Sequence, residues 1–464
     1  MTNAVTRRLI STCLLCCGIR VVAAPLDQPV DPHVSGGVEH IVIIGRDHPT
    51  PPYVEDVLDR LALNTSHPDV RMVYNNSAFR GFSASMQTHC LALLANMSDI
   101  SIVEEVSSIS RAGVVERADS QSYQTRPNSP WGLQRISTAS KVGGSPSQMN
   151  YVYSFANQGL GKGVDIYVVD TGIYTQHDVF DGRAKMIWSF DGNDTDVDGH
   201  GTHVSGTAGG SVVGVASNAN IFGVKVLDNS GGGSSANVIA GIDYILNAHD
   251  LRATDPNFVG SVMSMSLASG SPVQALNAAV SAAAEAGVHA IVAAGNNDGD
   301  ACQSSPASSG GLRGPAITVG AVGMNAQRSS FSNYGDCVDV YAPGENVISA
   351  WPGAPNMVNS LSGTSMATPH VTGIVAYAMG NKTLGGSPAL MKEWVRMQAL
   401  SVGNGTMLAN NGVLADDGEG MLGWETIVAA PAYKITGDPY AGDVLGWCQE
   451  SDKRSRLRSL LKTW

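Results

Sequence analysis

Four short segments carry residue types that together could break an acyl bond. Asp170 closes the apolar run VDIYVVD and is followed by Thr171 and Gly172. His203 lies in GHGTHVSGT, Asn296 follows VHAIVAAG, and Ser365 sits in SGTSMATPH, between a glycine turn and a run of helical character. A serine hydroxyl is a weak nucleophile until an imidazole accepts its proton, and the imidazole needs a carboxylate to set its tautomer and stabilise its cation. A tetrahedral intermediate then needs donors aimed at its oxyanion, a role that suits the Asn296 amide and the Ser365 backbone N–H. A helix beginning at Ser365 would add a favourable dipole. Each segment also has a plainer reading: serine is a good N-cap, DTG and AAGN are turns, and HGTH is a histidine pair that could hold a metal. A His-x-x-His pair alone is a weak metal signal.

The elements that must position these residues follow from periodicity. Beyond Trp131, apolar strand-like runs at Val164–Asp170, Ala219–Leu227, Gly260–Leu267, Val288–Gly295 and Pro315–Val322 alternate with helical segments such as Ser234–His249 and Pro272–Gly287. Continuous apolar strands alternating with helices predict an α/β fold, a mainly parallel sheet covered on both faces. In such sheets ligands bind beyond the carboxyl ends of the strands, where Asp170 and Asn296 fall. Before the linker the pattern differs. HIVIIG (His40–Gly45), VEDVLDRLAL (Val54–Leu63), RMVYN (Arg71–Asn75), GFSASM (Gly81–Met86), HCLALLANM (His89–Met97) and ISIVEEV (Ile100–Val106) read β-α-β-β-α-β, a ferredoxin-like α+β module.

DTG, HGTHVSGT, AAGN and SGTSMATPH, in that order, resemble the four signatures of the subtilisin family of serine proteases, and most closely its proteinase K-like branch. The order Asp, His, Ser is the family's. PWGLQRIS (Pro130–Ser137), FGVKVL, SFSNYG and APG extend the likeness from about Pro130 to about Gly380. The resemblance implies a three-layer catalytic domain over 130–422, with Asp170, His203 and Ser365 as triad and Asn296 with Ser365 as oxyanion hole. It implies that 35–112 is an inhibitor-type propeptide, where HIVIIG, RGFSASM and DISIVEE match, and that the enzyme cuts its own linker (113–129) between Val114 and Gln124.

Substrate backbone would pair with edges at Ser264–Ser269 and Val292–Gly295, making Ser266, Leu267, Ala268, Ala293, Ala294 and Gly295 the binding residues. Ala268 and Ser269 stand where the family's common form has two glycines, which narrows one wall; small Ala293, Ala294 and Gly295 favour an apolar or aromatic residue before the cut. The resemblance further implies a disulfide between Cys302 and Cys337, with two buried thiols as the other possibility, and a structural calcium at Asp339 with carbonyls near Gly314 and Ala316. No cofactor is expected for catalysis. Asp194, Asp196, Asp198 and Gly199 begin like an EF-hand, but Ser205 stands where that loop needs glutamate.

Hydrophobic residues make up 43% and charged residues 15%, with a net charge of −12 and no dense basic stripe, which argues against nucleic acid as a partner. Arg7 and Arg8, the apolar run Leu9–Ile19 and small residues Val22, Ala23 and Ala24 read as a signal peptide over 1–24, too short to span a bilayer. That leader would carry away Cys13, Cys16 and Cys17, leaving Cys90 and Cys448 without obvious partners. Sequons at Asn64, Asn75, Asn96, Asn193, Asn381 and Asn404 fit a secretory route. The tail 423–464 ends in the basic residues Lys453, Arg454, Arg456, Arg458 and Lys462 and matches nothing recognisable. The expectation is a monomeric, secreted endopeptidase, extracellular or vacuolar, with proteins as substrates and its own propeptide as inhibitor. The rival is a binding protein that cut itself once and stays locked by that propeptide.

Overall fold

The alternation of apolar and small-residue runs becomes a layered α/β architecture in the computed structural model, which describes residues 37–46, 53–111 and 129–413. The leader 1–24, the Val114–Gln124 window, the tail 423–464, Cys13, Cys16, Cys17 and Cys448 lie outside the described residues.

Strands β1 (Val38–Ile44), β2 (Val70–Asn75), β3 (Arg80–Met86) and β4 (Ile100–Glu105), with helices α1 (Val54–Arg60) and α2 (Thr88–Leu94), form the expected β-α-β-β-α-β module. Its sheet runs β2-β3-β1-β4, antiparallel throughout. The period-2 alternation splits β1 between two cores. Val42 and Ile44 join Val57, Leu58, Phe82 and Leu94 beneath the module's own helices. Ile41 and Ile43 instead pack with Tyr74 and Phe79 among apolar residues of the larger domain.

A short strand absent from the sequence reading, β5 (Ser108–Arg111), ends this part of the chain. The larger domain continues through α3 (Trp131–Arg135), β6 (Val164–Asp170), β7 (Ala184–Ser189), α4 (His200–Gly209), β8 (Asn220–Lys225), β9 (Gly232–Ser234), α5 (Ser235–Arg252), β10 (Gly260–Met265) and β11 (Leu267–Ser269). Then come α6 (Gln274–Glu285), β12 (His289–Ala293), β13 (Ile317–Val322), β14 (Val340–Pro343), β15 (Val347–Ala350), β16 (Val358–Leu361), α7 (Thr364–Ala378), α8 (Lys382–Gly385), α9 (Pro388–Gln398), β17 (Leu400–Ser401) and β18 (Met407–Leu408). The main sheet has the order β17-β18-β14-β13-β12-β10-β6-β8-β7 and is parallel except at β17. Its central strands are apolar without alternation because both faces are covered. Along β6, Ile166 and Val168 share one core with Val204, Ala208, Val371 and Ile374 of α4 and α7, whereas Tyr167 and Val169 belong to the core on the other face, which includes residues of α5 and α6.

Polar contacts hold the module to α5 and α6. The Glu104 carboxylate accepts from Gln274 N (3.0 Å) and Ala275 N (2.8 Å), capping the first turn of α6. Asp243 of α5 accepts from Asn75 N at 3.0 Å and Asn76 Nδ2 at 2.6 Å.

Helices α4 and α7 are buried along their whole length, and glycines let them approach backbone to backbone. A Cβ on Gly373 of α7 would lie 2.4 Å from Val215 Cβ and 2.7 Å from the carbonyl oxygen of Ala208 on α4. Elsewhere in a helix alanine is favoured over glycine by about 1 kcal/mol. Here overpacking is expected to outweigh that gain, so Gly373→Ala should lose about 1–3 kcal/mol in a denaturant titration. A variant at least as stable as the parent would show that the two helices are not in this contact.

Candidate active site

Asp170 ends β6, and α4 opens on His200 directly after Gly199. His200 Nδ1 donates to Asp170 Oδ1 at 2.7 Å, and Thr171 N donates to the same oxygen at 2.8 Å. Both side chains are fully buried. The histidine chosen from the sequence, His203, is not the partner of Asp170. It lies one turn further along α4, roughly 4.5 Å deeper at 1.5 Å per residue. There its Nε2 donates to the carbonyls of Val347 (3.0 Å) and Asn359 (3.2 Å), tying α4 to the β15–β16 hairpin. Burial, reinforced by the neighbouring His200, pushes the His203 imidazole down to about 3, so it stays neutral and structural.

Two buried groups to which the sequence reading gave no role at this site fix the Asp170–His200 pair. Asp196 accepts from Thr171 Oγ1 (2.9 Å), Gly199 N (2.9 Å), Thr202 N (2.9 Å) and Thr202 Oγ1 (2.5 Å). One carboxylate thus holds the end of β6 against the first turn of α4. Lys225, paired beside Asp170 in the sheet, donates to the carbonyls of Thr171 (2.7 Å) and Leu227 (2.9 Å), joining that strand end to the segment leading into β9.

Ser365 is the second residue of α7. Its Oγ donates to the Ser266 carbonyl at 3.3 Å, and Ser266 Oγ donates to the Ser365 carbonyl at 2.9 Å. The second bond resolves the proline one turn later. Pro369 has no N–H, so the carbonyl four residues earlier, that of Ser365, loses its helical donor. The Ser266 hydroxyl, just before β11, supplies one. Asn296 Oδ1 accepts from Thr364 N (2.8 Å) and Thr364 Oγ1 (2.9 Å), which sets the amide with Nδ2, its donor end, on the opposite side. Asn333, inside the SFSNYG segment, supports this turn: Nδ2 donates to the Ala294 carbonyl (2.9 Å), and Oδ1 accepts from Asn297 N (3.2 Å) and Gly299 N (2.9 Å).

The cleft edges differ in part from expectation. Leu267 and Ala268, in β11, pair antiparallel with Arg111 and Ser110 of β5, and Ser269 with Ile109. The other edge holding β5 is β9, where Gly232, Gly233 and Ser234 face Ser110, Ile109 and Ser108. Val292 and Ala293 are not an open edge, because both belong to β12 and pair with Thr318 and Val319 of β13. Ala294 N continues that ladder to the Val319 carbonyl, and Gly295 N donates to Thr364 Oγ1 at 3.2 Å. Their contribution is therefore a wall beside Asn296. The sequence GGGS gave β9 no strand period to find.

Cys302 and Cys337 form the expected disulfide, with Cα atoms 5.3 Å apart, and pack with Ala294, Ala301 and Ala307. The calcium expectation at Asp339 fails: the carbonyls of Gly314 and Ala316 each accept from Lys392 Nζ at 2.7 Å. A second cation there would meet an ammonium. Among the sequons, Asn64, Asn75, Asn96 and Asn404 are exposed, whereas Asn193 and Asn381 are half-buried with their amide oxygens accepting from nearby backbone N–H groups.

Comparison with known proteins points to one family. The model of the subtilase family, peptidase S8, matches residues 161–420. Subtilisin-like protease 2 of Pseudogymnoascus destructans is 44% identical over 329 residues, 70% of this chain and 74% of that protein. A cuticle-degrading protease of Metarhizium anisopliae is 41% identical over 328 residues, 70% of this chain and 77% of its own. The crystal structure of a cold adapted subtilisin-like serine proteinase superposes with a TM-score of 0.52 at 40% identity, covering 62% of this chain and all of that one.

The buried histidines make stability depend on pH. Burial pushes His203 to about 3 and His289 and His370 to about 4, against about 6.5 for an exposed imidazole. Each is neutral in the folded state and takes a proton on unfolding below about pH 6.5, so its contribution is complete above that pH and lost as pH falls. A His203→Gln variant, although less stable at neutral pH, is expected to lose stability less steeply between pH 6 and 4, by about 1.4 kcal/mol per pH unit. Parallel denaturation curves for parent and variant across that range would refute the assignment.

Proposed function

Because the chain belongs to the subtilase family of serine proteases, we propose that it is a secreted endopeptidase of broad specificity, made with its N-terminal module as an intramolecular inhibitor. One observation carries this reading. The backbone of β5 is held on both sides, by β9 and β11, and ends opposite Leu267, next to the Ser266 that is hydrogen-bonded to Ser365. A peptide strand laid in that groove is delivered to the serine.

In the proposed reaction His200 Nε2 takes the Ser365 hydroxyl proton as Oγ attacks the substrate carbonyl. Asp170 stabilises the imidazolium through Nδ1, at the 2.7 Å contact. Asn296 Nδ2 and the Ser365 N–H stabilise the oxyanion. The imidazolium then protonates the leaving amine, and water repeats the sequence on the acyl-serine. Recognition through main chain favours many sequences, with the small Ala293–Gly295 wall favouring an apolar or aromatic residue before the cut. Cleavage of a peptide panel mainly after Lys or Arg would overturn that preference. Secretion rests on the leader, and an extracellular or vacuolar destination fits it equally.

The strand register supports a narrower proposal for the processing site. Pairing runs as far as Arg111 opposite Leu267, one residue short of Ser266, so the proposed cut falls one residue beyond the strand, upstream of the Val114–Gln124 window. The mature protein is expected to begin at Gly113, which N-terminal sequencing reads directly; a start inside the module would sink the inhibitor assignment.

The catalytic roles separate in three variants assayed on casein. Ser365→Ala and His200→Ala should each lose at least about 10³-fold in turnover and keep the module uncut. His203→Gln should keep its turnover on casein close to the parent's at neutral pH, because the Asp170–His200 contact is left in place. Wild-type protein that cuts itself but releases no module and turns over nothing would favour the locked binding protein instead.

A further inference from the structure

Lys392 projects from α9 into a cage of oxygens. Its Nζ donates to the carbonyls of Gly311, Gly314 and Ala316, each at 2.7 Å, and lies 3.3 Å from Asp339 Oδ1. An ammonium has three N–H donors, and the three carbonyls take all of them. The carboxylate completes the cage as a counter-charge, its Oδ2 accepting from Gly311 N (3.0 Å) and Thr318 N (2.9 Å). Asp339 is buried, and only a tenth of the Lys392 side chain is exposed. Burial alone pushes the lysine down and the aspartate up, while each charge opposes the shift of the other. With three carbonyls at 2.7 Å, the ammonium is the form this geometry accommodates.

Three carbonyls and one carboxylate are also a donor set for a hard divalent cation, calcium above all. A bound ion stabilises in proportion to the logarithm of its free concentration, whereas a side chain on α9 is always present. We infer that Lys392 is a tethered replacement for a structural metal ion, and that the cage beneath it is a latent calcium site which opens when the ammonium is removed. The tether closes the Gly311–Ala316 turn against Asp339. That turn leads directly into β13 and lies beside the disulfide-bonded segment that follows Asn296.

The test compares melting temperatures of the full chain, carrying Ser365→Ala so that self-digestion plays no part, in excess chelator and in millimolar calcium. With Lys392 intact, the two should agree within about 1 °C. Lys392→Ala should melt about 5–10 °C lower in chelator and recover at least half of that loss with calcium, saturably. Adding Asp339→Asn should abolish the recovery. Lys392→Met, which fills the space without charge, should be destabilised and indifferent to calcium. Should Lys392→Ala fold only with metal, its folded yield in calcium against chelator gives the same reading. The inference is overturned if Lys392→Ala is insensitive to calcium in both measurements. It is equally overturned if calcium stabilises the protein with Lys392 intact and Asp339→Asn removes that effect.

Discussion

Two helices built largely of small residues, α4 and α7, must lie against each other on one face of the parallel sheet with their first turns at its carboxyl edge, and the site depends on that contact. His200 opens one helix and Ser365 lies in the first turn of the other. Neither helix start has a side-chain N-cap of the usual kind, because glycine precedes both. The first-turn N–H groups are satisfied from neighbouring elements instead. Gly201 N donates to Thr171 Oγ1 at 2.9 Å, Thr202 N to Asp196 at 2.9 Å, and Thr364 N to Asn296 at 2.8 Å. Capping therefore does two jobs: it completes each helix end and locks the distance between that end and the strand termini carrying Asp170 and Asn296. Gly201 is part of the same device, since a Cβ there would lie 2.0 Å from the Gly172 carbonyl.

The opening of α7 shows how a local defect becomes a coupling. Pro369 leaves the Ser365 carbonyl without an intrahelical donor, and Ser266 fills the gap from the residue preceding β11. A bond that would ordinarily close a helical turn now runs between Ser365 and the edge that holds β5. The position of a peptide on β11 is thereby referred to Ser365 through a single residue. Asn296 is referred to the same turn through Thr364, so Ser365, Asn296 and the start of β11 share one short network.

How much of this was legible in the sequence depended on whether the signal was periodic or spatial. The β-α-β-β-α-β module, the parallel strands and the segments bearing Asp170, Asn296 and Ser365 followed from apolar period and strand ends, and they stand as read. The choice between two histidines three residues apart did not, because both lie in one motif and only the approach of α4 to β6 tells them apart. The first of the two, at the helix start, is the one nearest the strand ends, which is a usable rule for such a pair. Lys392 was invisible as a cation for Asp339, being far away in sequence on an amphipathic helix where a lysine reads as solvent-facing. β9 was missed because GGGS has no side-chain pattern; its strand character comes from pairing with β5.

On the proposed reading, the way the module is held separates cutting from release. β5 fills the groove, but most of the attachment lies elsewhere: Ile41, Ile43, Tyr74 and Phe79 are buried among residues that include those of α5 and α6, Glu104 caps α6, and Asp243 accepts from Asn75 and Asn76. Hydrolysis just beyond Arg111 breaks one covalent link and leaves every one of these contacts in place. The cut strand stays at high effective concentration beside β9 and β11, because the module to which it belongs has not moved. Its departure requires the apolar interface to open as well. The module's own core is small, formed around Val42, Ile44, Val57, Leu58 and Phe82, and its second sheet face is covered by the larger domain. A domain of that size, uncovered on one face, is marginally stable alone. Release therefore exposes a unit prone to unfold, and an unfolded chain is what a broad endopeptidase degrades; inhibition ends when the inhibitor becomes substrate.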